Sequence, residues 1–201
     1  MNLWLWILAS YLLGAVPTSY LAARLFAGIN LSEHGSKNLG ATNLYRVLGW
    51  KYAIPVGLFD VAKGAIPAAV LAPLAGPDPW IPVLLGVSAV MGHVYSIFVK
   101  FRGGKGVATA AGAVLALAPA ALGISAVVWL VILAVTGYVS LASMLGAIAF
   151  PVAVRFTNPG DHYVFGVGVA LAAFIVVTHR SNIQRLAAGQ ENRFGNRGRA
   201  G

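Results

Sequence analysis

Read for hydrophobic and polar positions, the chain is a series of long apolar runs separated by short polar stretches. The runs cover about residues 3–26, 52–74, 80–99, 107–135, 140–155 and 163–178. Most match the ~20 residues that a helix needs to cross a hydrocarbon core, and the pattern predicts an all-α polytopic membrane protein. Pro17-Thr18-Ser19 predicts a kink in the first run, with the hydroxyls placed to repair the lost backbone bond. Between the first two runs, Glu33 to Asn43 is a cluster of small polar residues, which is turn chemistry. Thr42 or Asn43 can cap a short helix that Gly49 ends, placing Arg46 about one turn in. With Ser36 and Asn38, that helix start is either a second anion cradle or an ordinary capped connector.

Charge placement sets the expected topology. Lys and Arg gather at 24–51, at 100–105 and at 180–199, which assigns these regions to the cytoplasmic side. Residues 107–135 carry no charge; the run is long for one span of about 20 residues and short for two. Only two segments broken near Pro119 keep the arginine-rich tail inside. The expectation is therefore seven transmembrane segments, with the N-terminus outside and the C-terminus cytoplasmic. Residues 1–191 form one membrane domain and 192–201 a basic, flexible tail. The absence of a basic region before Arg24 makes the first run a retained span rather than a cleaved signal.

Composition sharpens this picture. Of 201 residues, 59% are hydrophobic and only 9% charged, against about 25% charged in soluble domains. The 24 glycines suit close helix packing in lipid. No cysteine is present, which excludes disulfides and thiolate-bound metals. The net charge of +9 lies in short loops between spans, so it points to anionic lipid and anionic substrate rather than nucleic acid.

The chemistry concentrates in Lys100-Phe101-Arg102-Gly103-Gly104-Lys105-Gly106, which leads into the Ala-rich run from Val107. Glycines let backbone amides converge. A helix N-terminus with a lysine beside it then makes an anion site, most simply for phosphate. The stretch is not a Walker A loop, because Val99 and Gly106 stand where Gly and Ser or Thr are required. A positive-inside anchor is the other reading of the same cations. Asp60 and Lys63, one turn apart inside the second run, form either a mutual ion pair or a pair whose lysine reaches a substrate pocket. His93 is either a packing residue or a ligand. Positions 179, 182 and 186 share one helical face near the end of the chain. With only five acids, neither paired carboxylates nor metal-ligand spacing is found, so the expected site holds phosphate-like anions with no metal or other cofactor.

Three stretches together are specific. Gly35-Ser36-Lys37-Asn38-Leu39-Gly40-Ala41-Thr42-Asn43 with Arg46, Gly92-His93 with Gly103-Gly104-Lys105-Gly106-Val107-Ala108-Thr109, and His179-Arg180-x-Asn182-Ile183-x-Arg185-Leu186-x-x-Gly189-x-Glu191 resemble, in order, the signature motifs of the bacterial membrane acyl-phosphate:glycerol-3-phosphate acyltransferases. The resemblance covers nearly the whole chain, including Asp60-x-x-Lys63-Gly64. Lys37 departs from it, standing where a smaller residue is expected, and the arginine tail after Phe194 is extra.

The resemblance implies a reaction and a location. The sn-1 hydroxyl of glycerol 3-phosphate attacks the acyl carbon of an acyl phosphate, giving 1-acyl-glycerol 3-phosphate (lysophosphatidic acid) and phosphate. This is the first acylation of bacterial phospholipid synthesis, at the cytoplasmic face of the inner membrane, and the protein is expected to be a monomer in the bilayer. Because phosphate leaves well, the residual work is orientation and charge stabilisation. On this reading the acyl-phosphate headgroup lies over the amides of Gly103 and Gly104 with Ser36, Asn38 and Thr42. Lys105 and Arg46 hold glycerol 3-phosphate with Ser143, His179 and Asn182, and Glu191 partners nearby arginines. A transporter of phosphorylated metabolites is the alternative, although its charges would lie at the midplane rather than at one face. A lipid-binding scaffold is a third class, but three polar motifs exceed what headgroup contact needs.

Overall fold

The computed structural model describes residues 2–195, and every regular element among them is helical. The chain packs as two units, one ending at Leu117 and one beginning at Ala118.

In the first unit the opening apolar run is two helices, α1 (Leu3–Ala15) and α2 (Thr18–Ala27), broken at Val16-Pro17. The kink is where the proline placed it, but its repair is not by the neighbouring hydroxyls. Thr18 Oγ1 donates to Asp60 Oδ1 at 2.7 Å. The exposed carbonyls are met from elsewhere in the chain: Lys63 Nζ donates to Val16 O at 2.9 Å, and Ser96 Oγ to Ala15 O at 2.5 Å. Backbone groups in apolar surroundings require such partners. Lys63 Nζ also pairs with Asp60 Oδ1 at 2.8 Å, and both residues are 1% exposed. The ion-pair reading of these two residues therefore holds. Their burial serves the broken span, with the lysine closing both the backbone gap and the carboxylate.

The polar stretch that follows is a folded element with its own small core. It contains a 3₁₀ turn at Leu31–Glu33 and helix α3 (Ala41–Leu48). Leu31, Leu39 and Leu44 are buried with Ala22, Ala23 and Val56, and Val99 packs against them. The second run is α4 (Trp50–Ile66), a π-helical turn at Pro67–Leu71 and α5 (Ala72–Ala75). The third is α6 (Ile81–Val94) with a 3₁₀ turn at Ile97–Val99, and α7 (Val107–Leu117) closes the unit.

Two antiparallel helix pairs approach at backbone distance through reciprocal glycines. A Cβ on Gly14 would fall on the Ala89 carbonyl, and one on Gly92 on the Tyr11 carbonyl, between α1 and α6. Gly64 faces the Thr109 carbonyl, and Gly112 the Val61 carbonyl, between α4 and α7. Small residues give this approach in membranes, where dispersion contacts replace the hydrophobic drive.

The second unit is α8 (Pro119–Thr136), α9 (Val139–Thr157), α10 (His162–Thr178) and α11 (Arg180–Ala187). The uncharged run 107–135 is indeed two helices parted before Pro119, which occupies the first position of α8, where its missing N–H costs nothing. Among the described residues, five helical segments are long and apolar enough to cross a membrane, or six if α10 and α11, bent by 58°, are one span. α7 is apolar but, at 11 residues, short. After α11 the chain returns to the α8–α9 turn: Phe194 N–H donates to Gly137 O at 2.7 Å, and the Arg193 guanidinium lies 5.3 Å from the Tyr138 ring centroid. Arg197 and Arg199, expected in a flexible tail, lie outside the described residues.

Candidate active site

In the first unit the loop before α3 is tied by a residue to which the sequence reading gave only a capping role. Asn43 is 1% exposed; its Oδ1 accepts Ser36 N–H at 2.8 Å, and its Nδ2 donates to His34 O at 3.0 Å. Neither Thr42 nor Asn43 is the cap; Gly40 holds that position without a side-chain bond, and Gly49, at φ 91°, ends the helix as expected. The reason is that Asn43 is spent on the preceding loop. Thr42 is in the first turn of α3, with Arg46 one turn further on the same face. Ser36, Asn38, Thr42 and Arg46 are all half-buried. Lys37 occupies the left-handed region at φ 60°, which gives a backbone reason for the smaller residue expected there.

The glycine turn differs from expectation in one respect. Gly103 N–H donates to Val94 O at 2.9 Å and Gly104 N–H to His93 O at 3.2 Å. These amides are committed to the end of α6 and do not form the expected phosphate cradle. The lack of Cβ matters instead. On Gly103 a Cβ would strike the His93 carbonyl. On Gly104 it would strike the His93 imidazole and come within 3.0 Å of the Leu39 carbonyl oxygen. The turn is thereby seated on α6 and against the Ser36–Thr42 loop, and these two predicted motifs do come together. Lys100 and Phe101, at φ 56° and 59°, carry the approach to it and store backbone strain there. Lys105 follows half-buried, one residue before Gly106 at φ 82° and the start of α7.

In the second unit the last motif forms around the α10–α11 bend. His179 is the pivot and is 3% exposed. Its Nδ1–H donates to Ile175 O at 2.8 Å, which places the neutral ring's lone pair on Nε2. Glu191, 8% exposed, accepts from Asn182 Nδ2 at 2.7 Å, Arg185 Nε at 2.7 Å and Ser140 Oγ at 2.9 Å. Burial pushes this carboxyl up, but the hydrogen bonds from Asn182, Arg185 and Ser140 outweigh it and hold the group below its ordinary value. The arginine partner expected for Glu191 is Arg185. Its hold on Asn182, one of the predicted site residues, was not anticipated. Ser143, 5% exposed, donates to Val139 O at 2.8 Å and accepts from Trp129 Nε1 at 3.3 Å. Its hydroxyl is turned into the α8–α9 contact.

The arrangement defines an integral membrane protein whose polar turns carry cations and hydroxyls suited to phosphate groups. The glycerol-3-phosphate acyltransferase family model matches residues 4–189. Similar relatives include the glycerol-3-phosphate acyltransferases of Desulforudis audaxviator, 47% identical and covering 92% of both chains, and of Chlorobium phaeobacteroides strain BS1, 41% identical over 92% of this chain and 93% of that one. Two crystal structures of PlsY, an integral membrane glycerol 3-phosphate acyltransferase, share the fold. The glycerol 3-phosphate form has a TM-score of 0.89 at 39% identity, covering 96% of each chain. The lysophosphatidic acid form scores 0.85 at 38% identity, covering 96% of this chain and 95% of that one. The chain belongs to the glycerol-3-phosphate acyltransferase family, and neither the transporter nor the scaffold reading survives this match.

Proposed function

We propose that the protein transfers an acyl group from acyl phosphate to the sn-1 hydroxyl of glycerol 3-phosphate, at the cytoplasmic face of a bacterial inner membrane. The observation that carries this is the near-complete match to an enzyme solved in both a glycerol 3-phosphate and a lysophosphatidic acid form, the acceptor and the product of such a transfer. The donor assignment rests on the resemblance of the three motifs. Lys105 and Arg46 hold the acceptor phosphate. Ser36, Asn38 and Thr42 serve the acyl-phosphate headgroup, with Gly103 and Gly104 shaping the turn through their missing Cβ. His179 and Asn182 orient the glycerol hydroxyls, and Ser143 joins them by turning its hydroxyl away from Val139. The protein acts as a monomer in seven segments, with α7 counted as one of them.

The hydroxyl oxygen forms the new ester bond to the acyl carbon while the carbon–oxygen bond to phosphate breaks. The hydroxyl proton passes to the acceptor's own phosphate, a monoester with a second pKa of about 6. Charge stabilisation by oriented cations is the main catalytic contribution. The test is a donor panel in detergent solution, with acyl phosphate, acyl-CoA and acyl carrier protein offered in turn and the product identified by mass and by acyl position. Acyl phosphate should support turnover at least a hundredfold faster than the thioesters, and His179→Gln should keep an acid limb near pH 6 in its residual activity. Faster turnover with a thioester would overturn the donor assignment, and loss of that limb would assign the proton to His179.

A further inference from the structure

We propose that His93 is a positioning residue for Lys105, set between the buried Asp60–Lys63 pair and the glycine turn. The proposal rests on the role given to Lys105 above, and on no other part of that reading.

His93 ends α6 and is 8% exposed. Its backbone carbonyl accepts the Gly104 N–H. Its ring occupies the space that a Cβ on Gly104 would need, with Nε2 the nearest atom. One residue thus holds the backbone of Gly104 from two sides, and the next residue is Lys105. The other ring nitrogen, Nδ1, lies 3.7 Å from Asp60 Oδ1, beyond hydrogen-bond range. Nδ1 is one of the few buried side-chain polar atoms with no hydrogen-bond partner among the described residues, and such atoms call for an explanation. Asp60 is anchored elsewhere: its Oδ1 accepts from Lys63 Nζ at 2.8 Å and from Thr18 Oγ1 at 2.7 Å. Lys63 is in turn fixed on the Val16 carbonyl. The ring makes no hydrogen bond to Asp60. It stays on the turn instead, as a rigid spacer between a fixed ion pair and a backbone that has no Cβ to support it. The height of the turn above α6, and hence the root of the Lys105 side chain, is set by the imidazole.

A positioning role makes His93 and Lys105 energetically one unit. The test is a double-mutant cycle on glycerol 3-phosphate acylation, run with whichever donor the wild-type protein uses, so that a wrong donor assignment leaves it unaffected. His93→Ala should lower kcat/KM at least tenfold in the wild-type background and less than twofold in the Lys105→Ala background, with the detergent melting temperature recorded for each variant. Should His93→Ala fail to fold, His93→Gln, which keeps bulk against Gly104, takes its place in the same cycle with a smaller loss and the same non-additivity. Equal losses in both backgrounds would reduce His93 to a packing residue and overturn the proposal. A Lys105→Ala variant with wild-type kcat/KM would overturn it together with the role of Lys105.

Discussion

Glu191 shows how much one residue organises at the last motif. Three donors from two helices converge on its carboxylate, and its pKa is held low. A depressed carboxylate stabilises the fold above its unfolded pKa, about 4.3, and that contribution is lost as the pH falls through the folded value. Glu191→Gln should therefore lower the melting temperature at pH 7, by an amount equivalent to about 1.5–3 kcal/mol for the lost charged hydrogen bonds. The difference from wild type should shrink steadily below about pH 4, where the wild-type carboxyl also protonates. Melting curves of the two proteins across pH check this; a gap that stays constant down to pH 3 would mean that the charge is not what matters. Lysine, histidine and glutamate positions were legible from the sequence here, but the hold of Glu191 on Asn182 was not. Its partners come from positions 140 to 185, and only folding brings them to one carboxylate.

At the scale of the element, the two close helix pairs set the framework from which the glycine turn is presented. Composition foretold close packing but not its partners, because reciprocity between Gly64 and Gly112, or Gly14 and Gly92, depends on the register of two distant helices. Gly112→Ala should force α4 and α7 apart and cost about 1–3 kcal/mol. Gly166→Ala, in α10 with nothing within 4 Å of the added Cβ, should be neutral or gain up to about 1 kcal/mol from helix propensity. Chemical or thermal unfolding in one detergent distinguishes them, and equal effects would remove the close approach as a source of stability. The break at Pro17 follows the same logic. Proline alone placed it, yet its repair by Lys63 and Ser96 was not readable, since residues 47 and 81 positions away supply the donors. The glycine turn was legible as a turn, but not that its Gly103 and Gly104 amides donate to the carbonyls that end α6.

Across the whole molecule, the order of apolar runs and basic loops gave most helix ends to within a few residues, including a division near Pro119. The basic loops predict which side each lies on, and labelling tests it. The chain has no cysteine, so single substitutions at Trp50, Arg102 and Asn192 should label only from the cytoplasm, and one at Asp78 only from outside. Val139 is the discriminating site. Labelling there from outside, with position 192 cytoplasmic, would mean that α7 and α8 together cross the membrane once.

In the proposed reaction donor and acceptor react directly, oriented by cations, with no acyl group resting on the protein. Isotope exchange measures this most directly. Purified protein in detergent is incubated with acyl phosphate and labelled inorganic phosphate, with glycerol 3-phosphate withheld. Direct transfer predicts no label in the acyl phosphate and no acyl adduct on the intact protein by mass, with rapid product formation once glycerol 3-phosphate is added. Label entering acyl phosphate in its absence would require an acyl-enzyme and rule out direct transfer.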